Sequence, residues 1–127
     1  MTAYLPGSSF DMRTPLEQMR GELAEMQKLW QEKPEVFIVM NELTLRSLHV
    51  PVIREHLQWL EKGWHDYLER VLREGREQHF FRADLDPAPA ATWLILLLKG
   101  TILHALSNPG AVDFQQVRAE VERWLTS

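Results

Sequence analysis

Between Asp84 and Leu106 the chain reads DLDPAPAATWLILLLKGTILHAL, and no other stretch restricts the fold as strongly. At about 100° per residue, Thr92 and Lys99 fall close together on a helical wheel. Every other direction around the axis carries apolar or small residues. Trp93, Leu97 and His104 share one direction, Leu94 and Leu98 a second, Ile95 and Ile102 a third, and Leu96, Gly100 and Leu103 a fourth. A helix that is apolar nearly all round has to be covered nearly all round. A bilayer, the centre of a single-subunit core and an interface between two copies of the chain would each cover it.

The bilayer fits poorly. A span needs about 20 predominantly apolar residues, whereas Ala90 to Leu106 is shorter, contains Lys99 and His104, and follows two prolines. A lysine at mid-span costs about 2.5–3.5 kcal/mol on insertion scales. Gly100 favours the interface, because a missing side chain lets another helix approach closely. In a helix interior it costs about 1 kcal/mol against alanine, which some contact must offset.

The rest of the chain is also helical in pattern. Thr14-Pro15-Leu16-Glu17 forms a capping box with proline at the first helical position. Behind it Leu16, Met19, Leu23, Met26 and Trp30 recur at helical spacing. Pro34 ends that helix and opens a second, VFIVMNELTLRSL, in which Val36, Met40, Leu43 and Ser47 line one face. Pro51 starts the longest element, marked by Ile53, Leu57, Leu60, Trp64, Tyr67 or Leu68, Val71 and Gly75. At 1.5 Å per residue it spans roughly 40 Å, the whole molecule. Asp86 and Pro87 start the fourth helix. Asp113 caps the fifth, in which Phe114, Val117, Val121 and Trp124 form a single stripe. The pattern predicts an all-α, five-helix bundle over residues 14–127, preceded by a lead-in segment over residues 1–13.

Composition narrows the function. The chain has 127 residues, enough for one domain. Acidic residues outnumber basic ones, 18 to 14, and no basic block stands out. Duplex binders show a clustered Lys/Arg surface, so direct nucleic-acid binding by this chain is not expected. The N-terminal MTAYLPGSSF has neither a basic nor an apolar signal region, which points to the cytoplasm. With no cysteine, thiolate chemistry is excluded. His49, His56, His65, His79 and His104 show no HExxH pattern. Asp84 and Asp86 are explained by loop solvation and capping, and no nucleophile–base pair or phosphate-binding glycine loop occurs. Neither catalysis, nor a cofactor, nor a metal is expected.

The stretch REGREQHFFRADLDPAPAATWLILLLKGTILHAL resembles the C-terminal regulatory domain of tetracycline-repressor (TetR) family transcription factors. A long helix ends in a glycine-containing turn and a phenylalanine-plus-basic step, Gly75 through Phe81-Arg82. Asp84-Leu85-Asp86-Pro87, the alanine pair Ala90-Ala91 and an apolar helix with central Gly100 follow in order. The earlier KLWQEKPEVFIVMNELTLRSLHVPVIREHL is similar to the family's helix, proline, helix, proline order, so the resemblance covers roughly residues 14 to 125. The family's N-terminal helix-turn-helix does not occur in this sequence. VFIVM cannot serve as a recognition helix, and Glu120 and Glu122 would face phosphates in the last one.

The resemblance implies a cytoplasmic regulator's effector-sensing and dimerisation half, acting on DNA only through a separate N-terminal domain. The alternative is a stand-alone helical dimer that serves as a scaffold. The effector would be a hydrophobic small molecule held among the first three helices and the start of the fourth. Its expected contacts are the apolar Met19, Leu23, Met26, Met40, Trp64, Trp93 and Leu97, with Asn41, Thr44 and His104 as polar anchors. A homodimer would form an intersubunit four-helix bundle from the last two helices. Its seam would hold Ile95, Gly100, Ile102, Leu103, Leu106, Val117, Val121 and Trp124.

Overall fold

The structure, a computed structural model, describes residues 12–127. All of the expected lead-in except Met12 and Arg13 therefore lies outside the described residues. Five α-helices follow in order: α1 (Pro15–Glu32), α2 (Glu35–Arg46), α3 (Pro51–Glu77), α4 (Pro87–Ser107) and α5 (Phe114–Thr126). Among the described residues there is no strand, and the all-α expectation holds.

The helix ends form where the sequence places them. Thr14 Oγ1 accepts from Glu17 N at 3.2 Å while Glu17 Oε1 accepts from Thr14 N at 3.1 Å, a reciprocal capping box. Asp113 Oδ1 accepts from the Gln115 and Gln116 amides at 3.0 and 3.2 Å and starts α5. Asp86 occupies the N-cap of α4 without a side-chain bond of that kind. The Arg54 guanidinium donates to Ser47 O and Leu48 O, both at 3.1 Å, satisfying carbonyls at the C-terminal end of α2.

The core gathers at one end of α3. Leu68, Val71, Leu72, Leu94, Val121 and Leu125 are essentially sealed from solvent, and Met19 and Leu23 of α1 close over them. At the other end, α2 buries no residue at all, and the stripe on α3 becomes buried only from Tyr67 onward. Of the expected α2 face, Met40 and Ser47 border open space rather than solid core, and Val36 and Leu43 lie outside that lining.

α4 lies along α3, with Thr92 and Lys99 turned toward it. His65 Nε2 sits 3.0 Å from Thr92 Oγ1 and 3.1 Å from Ala88 O, and Lys99 pairs with Glu61. Ala91, Leu94, Ile95, Leu98, Ile102 and Ala105 face inward. The opposite side is open: Trp93 is 44% exposed, Leu96 64% and Leu103 56%. Within one chain, α4 is thus not the covered centre of the bundle. Its 21 residues extend beyond the apolar run Ala90 to Leu106, and by length and composition alone it could cross a membrane. What marks it as a bundle helix is its buried face and its polar edge paired to α3.

The turn after α3 corrects one sequence expectation. Phe80 N donates to Gly75 O at 2.8 Å and His79 N to Arg76 O at 3.2 Å, the two bonds of a Schellman cap. The residue in the left-handed region is His79, with φ 65°, not a glycine. Gly75 serves a different need. A Cβ there would lie 2.1 Å from Phe81 Cδ2, so only glycine lets that ring lie flat on the helix. Arg82 then fastens the turn to α5, its amide donating to Leu125 O at 2.7 Å.

A side chain with a Cβ pays on the order of 1 kcal/mol in the left-handed region, and glycine does not. His79→Gly should therefore raise the midpoint of thermal unfolding by about 4 °C, while Gly75→Ala should lower stability. A His79→Gly melting point at or below that of the unsubstituted chain would contradict the strain assigned to this cap.

Candidate functional site

The thinly packed end of the bundle contains a cavity of about 630 Å³ between α2, α3 and α4. Phe37 and Met40 of α2, Leu57, Leu60 and Trp64 of α3, and Leu98, Ile102, Leu103 and Leu106 of α4 make its apolar walls, with Met26 of α1 at one side. Two α-helices that diverge from a common core leave such a space, and Phe37 and Met40 of α2 line it without filling it. The polar lining consists of Asn41, Thr44, Ser47, Arg54, Gln58, Glu61 and Lys99.

Most of these polar groups are engaged. Thr44 Oγ1 donates to Met40 O at 2.9 Å, Ser47 Oγ to Thr44 O at 2.6 Å, Arg54 is spent on the end of α2, and Glu61 is paired with Lys99. Among the described residues, the Asn41 and Gln58 amides have no hydrogen-bond partner. A mostly apolar cavity with a few convergent polar groups is the usual form of a small-molecule site. The two uncommitted amides are the directional donors and acceptors left free on the cavity wall.

A second, shallower space of about 1000 Å³ lies between α1 and α3 and shares Met26, Phe37, Leu60 and Trp64 with the first. Its rim carries Glu22, Glu25, Lys62 and Asp66. Glu22 is the notable group: the Trp64 indole Nε1 donates to its Oε1 at 3.0 Å. Burial pushes its carboxyl above the usual carboxylate value, and the indole bond only partly offsets that.

Of the residues expected to contact an effector, the fold brings Met26, Met40, Asn41, Thr44 and Trp64 together at the cavity. Met19 and Leu23 are instead buried in the solid core. Trp93, Leu97 and His104 lie outside the cavity lining: Trp93 packs against Trp124 with the rings tilted by 37° and centroids 4.5 Å apart, Leu97 is half-buried against the core, and His104 is exposed. The wheel groups these three correctly, yet nothing in the sequence says which direction faces α2. Phe37, Leu57, Gln58, Glu61 and Lys99 belong to the lining without having been expected there. Lys99 on the polar edge of α4 was the available signal, because a lysine on an apolar helix needs a carboxylate nearby.

The residues expected at a seam divide in the same way. Ile95, Ile102 and Val121 are buried inside their own chain, and Leu103 and Leu106 border the cavity. Val117 and Trp124 are partly buried against the core. Gly100 is exposed, and a Cβ placed there would meet nothing within 4 Å. His65, Asp66 and Glu69 bring possible metal-ligating atoms within 4.8 Å of one another, but Asp66 and Glu69 already hold Lys62 and Arg73.

A family model described as BetI-type transcriptional repressor, C-terminal, matches residues 15–127. The chain belongs to that family. The match takes in all five helices and therefore both the cavity and the open face of α4. Neither the curated proteins nor the solved structures yielded a match. The family is one of transcriptional regulators, and the effector-binding and dimerisation part of a regulator is the role that membership supports.

The partly buried Glu22 gives a pH signature. A carboxyl whose folded-state pKa is raised above 4.5 favours folding in its protonated form. That contribution is present below pH 4.5 and lost as pH rises through the raised value. Glu22→Gln keeps an acceptor for Trp64 but never ionises. In denaturant unfolding, Glu22→Gln should be more stable than the unsubstituted chain at pH 7, and the gap should close at pH 4. An equal gap at both pH values would remove the assigned cause.

Proposed function

We propose that this chain is the effector-sensing and homodimerisation domain of a TetR-type transcriptional regulator, working in the cytoplasm and holding a largely hydrophobic small molecule between α2, α3 and α4. The cavity carries this reading: about 630 Å³, apolar on every helix that borders it, with the Asn41 and Gln58 amides unengaged. Met26, Met40, Leu57, Trp64 and Ile102 would grip the apolar body of the effector, while Asn41, Gln58 and Thr44 would orient its polar end.

The second half of the proposal concerns the open face of α4. Trp93, Leu96 and Gly100, with Leu103 at the edge this side shares with the cavity, form an apolar surface of a kind that soluble monomers rarely leave uncovered. A second copy laid across it by two-fold symmetry would build a four-helix bundle from two α4 and two α5 helices. Gly100 would sit at the closest crossing, with Leu106, Val117 and Trp124 around it. Ile95, Ile102 and Val121 would support the seam from beneath.

α4 would then serve both functions, one face lining the effector cavity and the other meeting the partner copy. An effector that favours one seating of α2 and α3 against α4 changes the relation between the two protomers and, through it, between DNA-reading parts outside residues 12–127. Linkage requires the reverse as well: DNA binding alters effector affinity by the same factor.

Short straight-chain fatty acids and compact neutral hydrophobic dyes should raise the melting temperature and quench tryptophan fluorescence, with Trp64 in the cavity wall as the reporter. A ligand at 100 times its Kd contributes about 2.7 kcal/mol of apparent stability. Met40→Arg, which places a charge in the cavity, should abolish the shift. A broad apolar panel that leaves melting temperature and fluorescence unchanged would overturn the effector reading and favour a dimer without ligand.

A further inference from the structure

Trp64 stands between two spaces. It lines both the cavity of about 630 Å³ and the groove of about 1000 Å³, and Met26, Phe37 and Leu60 are shared with it. A side chain in that position is a partition, and its orientation decides whether there are two compartments or one. One hydrogen bond fixes that orientation, from the indole Nε1 to Glu22 Oε1 at 3.0 Å, across from α3 to α1.

The groove has room to receive the indole. Gly63, immediately before Trp64, lines the groove, and a Cβ built on it would meet nothing within 4 Å. A glycine in the middle of a long helix is unfavourable by about a fivefold factor against alanine. Among the described residues no turn, close crossing or positive φ accounts for it. Open space beside the partition gives it a use, because it leaves the groove side of Trp64 unobstructed at position 63.

We infer that Glu22 is a positioning residue for the effector site. By holding the Trp64 indole it keeps the two spaces apart, limits the site to compact apolar ligands and excludes chains long enough to need both. This inference rests on the proposed effector function for the cavity itself. It adds that the upper size limit is set from α1, by a residue outside the cavity lining. Ligands that exceed the limit bind only where the Glu22–Trp64 bond is broken.

The test uses the full chain and a series of neutral 1-alkanols of increasing length, so that removing a carboxylate does not change the attraction for the probe. Affinity should rise about fourfold per methylene until the partition is reached, then fall. Glu22→Ala should move that maximum to longer chains, and Glu22→Gln, which keeps the acceptor, should leave it in place. The same maximum in all three proteins would overturn the inference.

A second measurement needs no ligand. Solvent exchange of the Trp64 indole N–H, assigned by its loss in Trp64→Phe, should be roughly tenfold faster in Glu22→Ala and unchanged in Glu22→Gln. Unaltered exchange in Glu22→Ala would also overturn it. If no alkanol binds the unsubstituted chain, the effector reading fails, and the exchange rates alone decide whether Glu22 holds the partition.

Discussion

The seating of α4 on α3 is the contact on which the rest of the molecule depends. It buries Ala91, Leu94, Ile95 and Leu98 against Leu68, Val71 and Leu72 at one end of the long helix. Its register is set by polar groups rather than by packing alone, since Thr92 meets His65 and Lys99 meets Glu61. Exposed pairs of this kind add little net stability. Their importance lies in selecting one rotation for a helix that could otherwise bury almost any of its faces.

That rotation has two consequences. Toward the N-terminal half of α3 the helices separate faster than their side chains can fill the gap, which leaves the cavity. Away from α3, α4 turns Trp93, Leu96 and Gly100 outward. The site and the open face are therefore products of a single packing decision. A ligand that shifts α4 by even a small amount acts on both, which is the physical basis for coupling in the proposed regulator.

The sequence disclosed the helices because capping and periodicity are local. Thr14 with Glu17, Asp113, and the prolines at positions 15, 51 and 87 placed four helix starts directly. The cavity was half legible. Met40 lies on the α2 face that periodicity marks and Asn41 and Thr44 follow from the family resemblance, and all three line the cavity, whereas Trp93 and His104 lie on an α4 face whose direction is decided only by tertiary contact. Ile95 and Ile102 were assigned to a seam for the same reason, since an all-apolar wheel does not distinguish a face against its own core from one against another molecule. His79 escaped notice because its left-handed backbone is imposed by the close approach of Phe81 to Gly75, a contact no local rule encodes.

The central claim is that α4 has two apolar faces, one satisfied by its own chain and the other by a second copy. Sedimentation equilibrium of the unsubstituted chain measures this most directly. The account predicts a dimer at low micromolar concentration and a shift toward monomer for Gly100→Arg, which puts a long charged side chain where nothing now lies within 4 Å. A monomer at tens of micromolar that binds no apolar dye would contradict it, because α4 would then tolerate water on a face that the account requires to be covered.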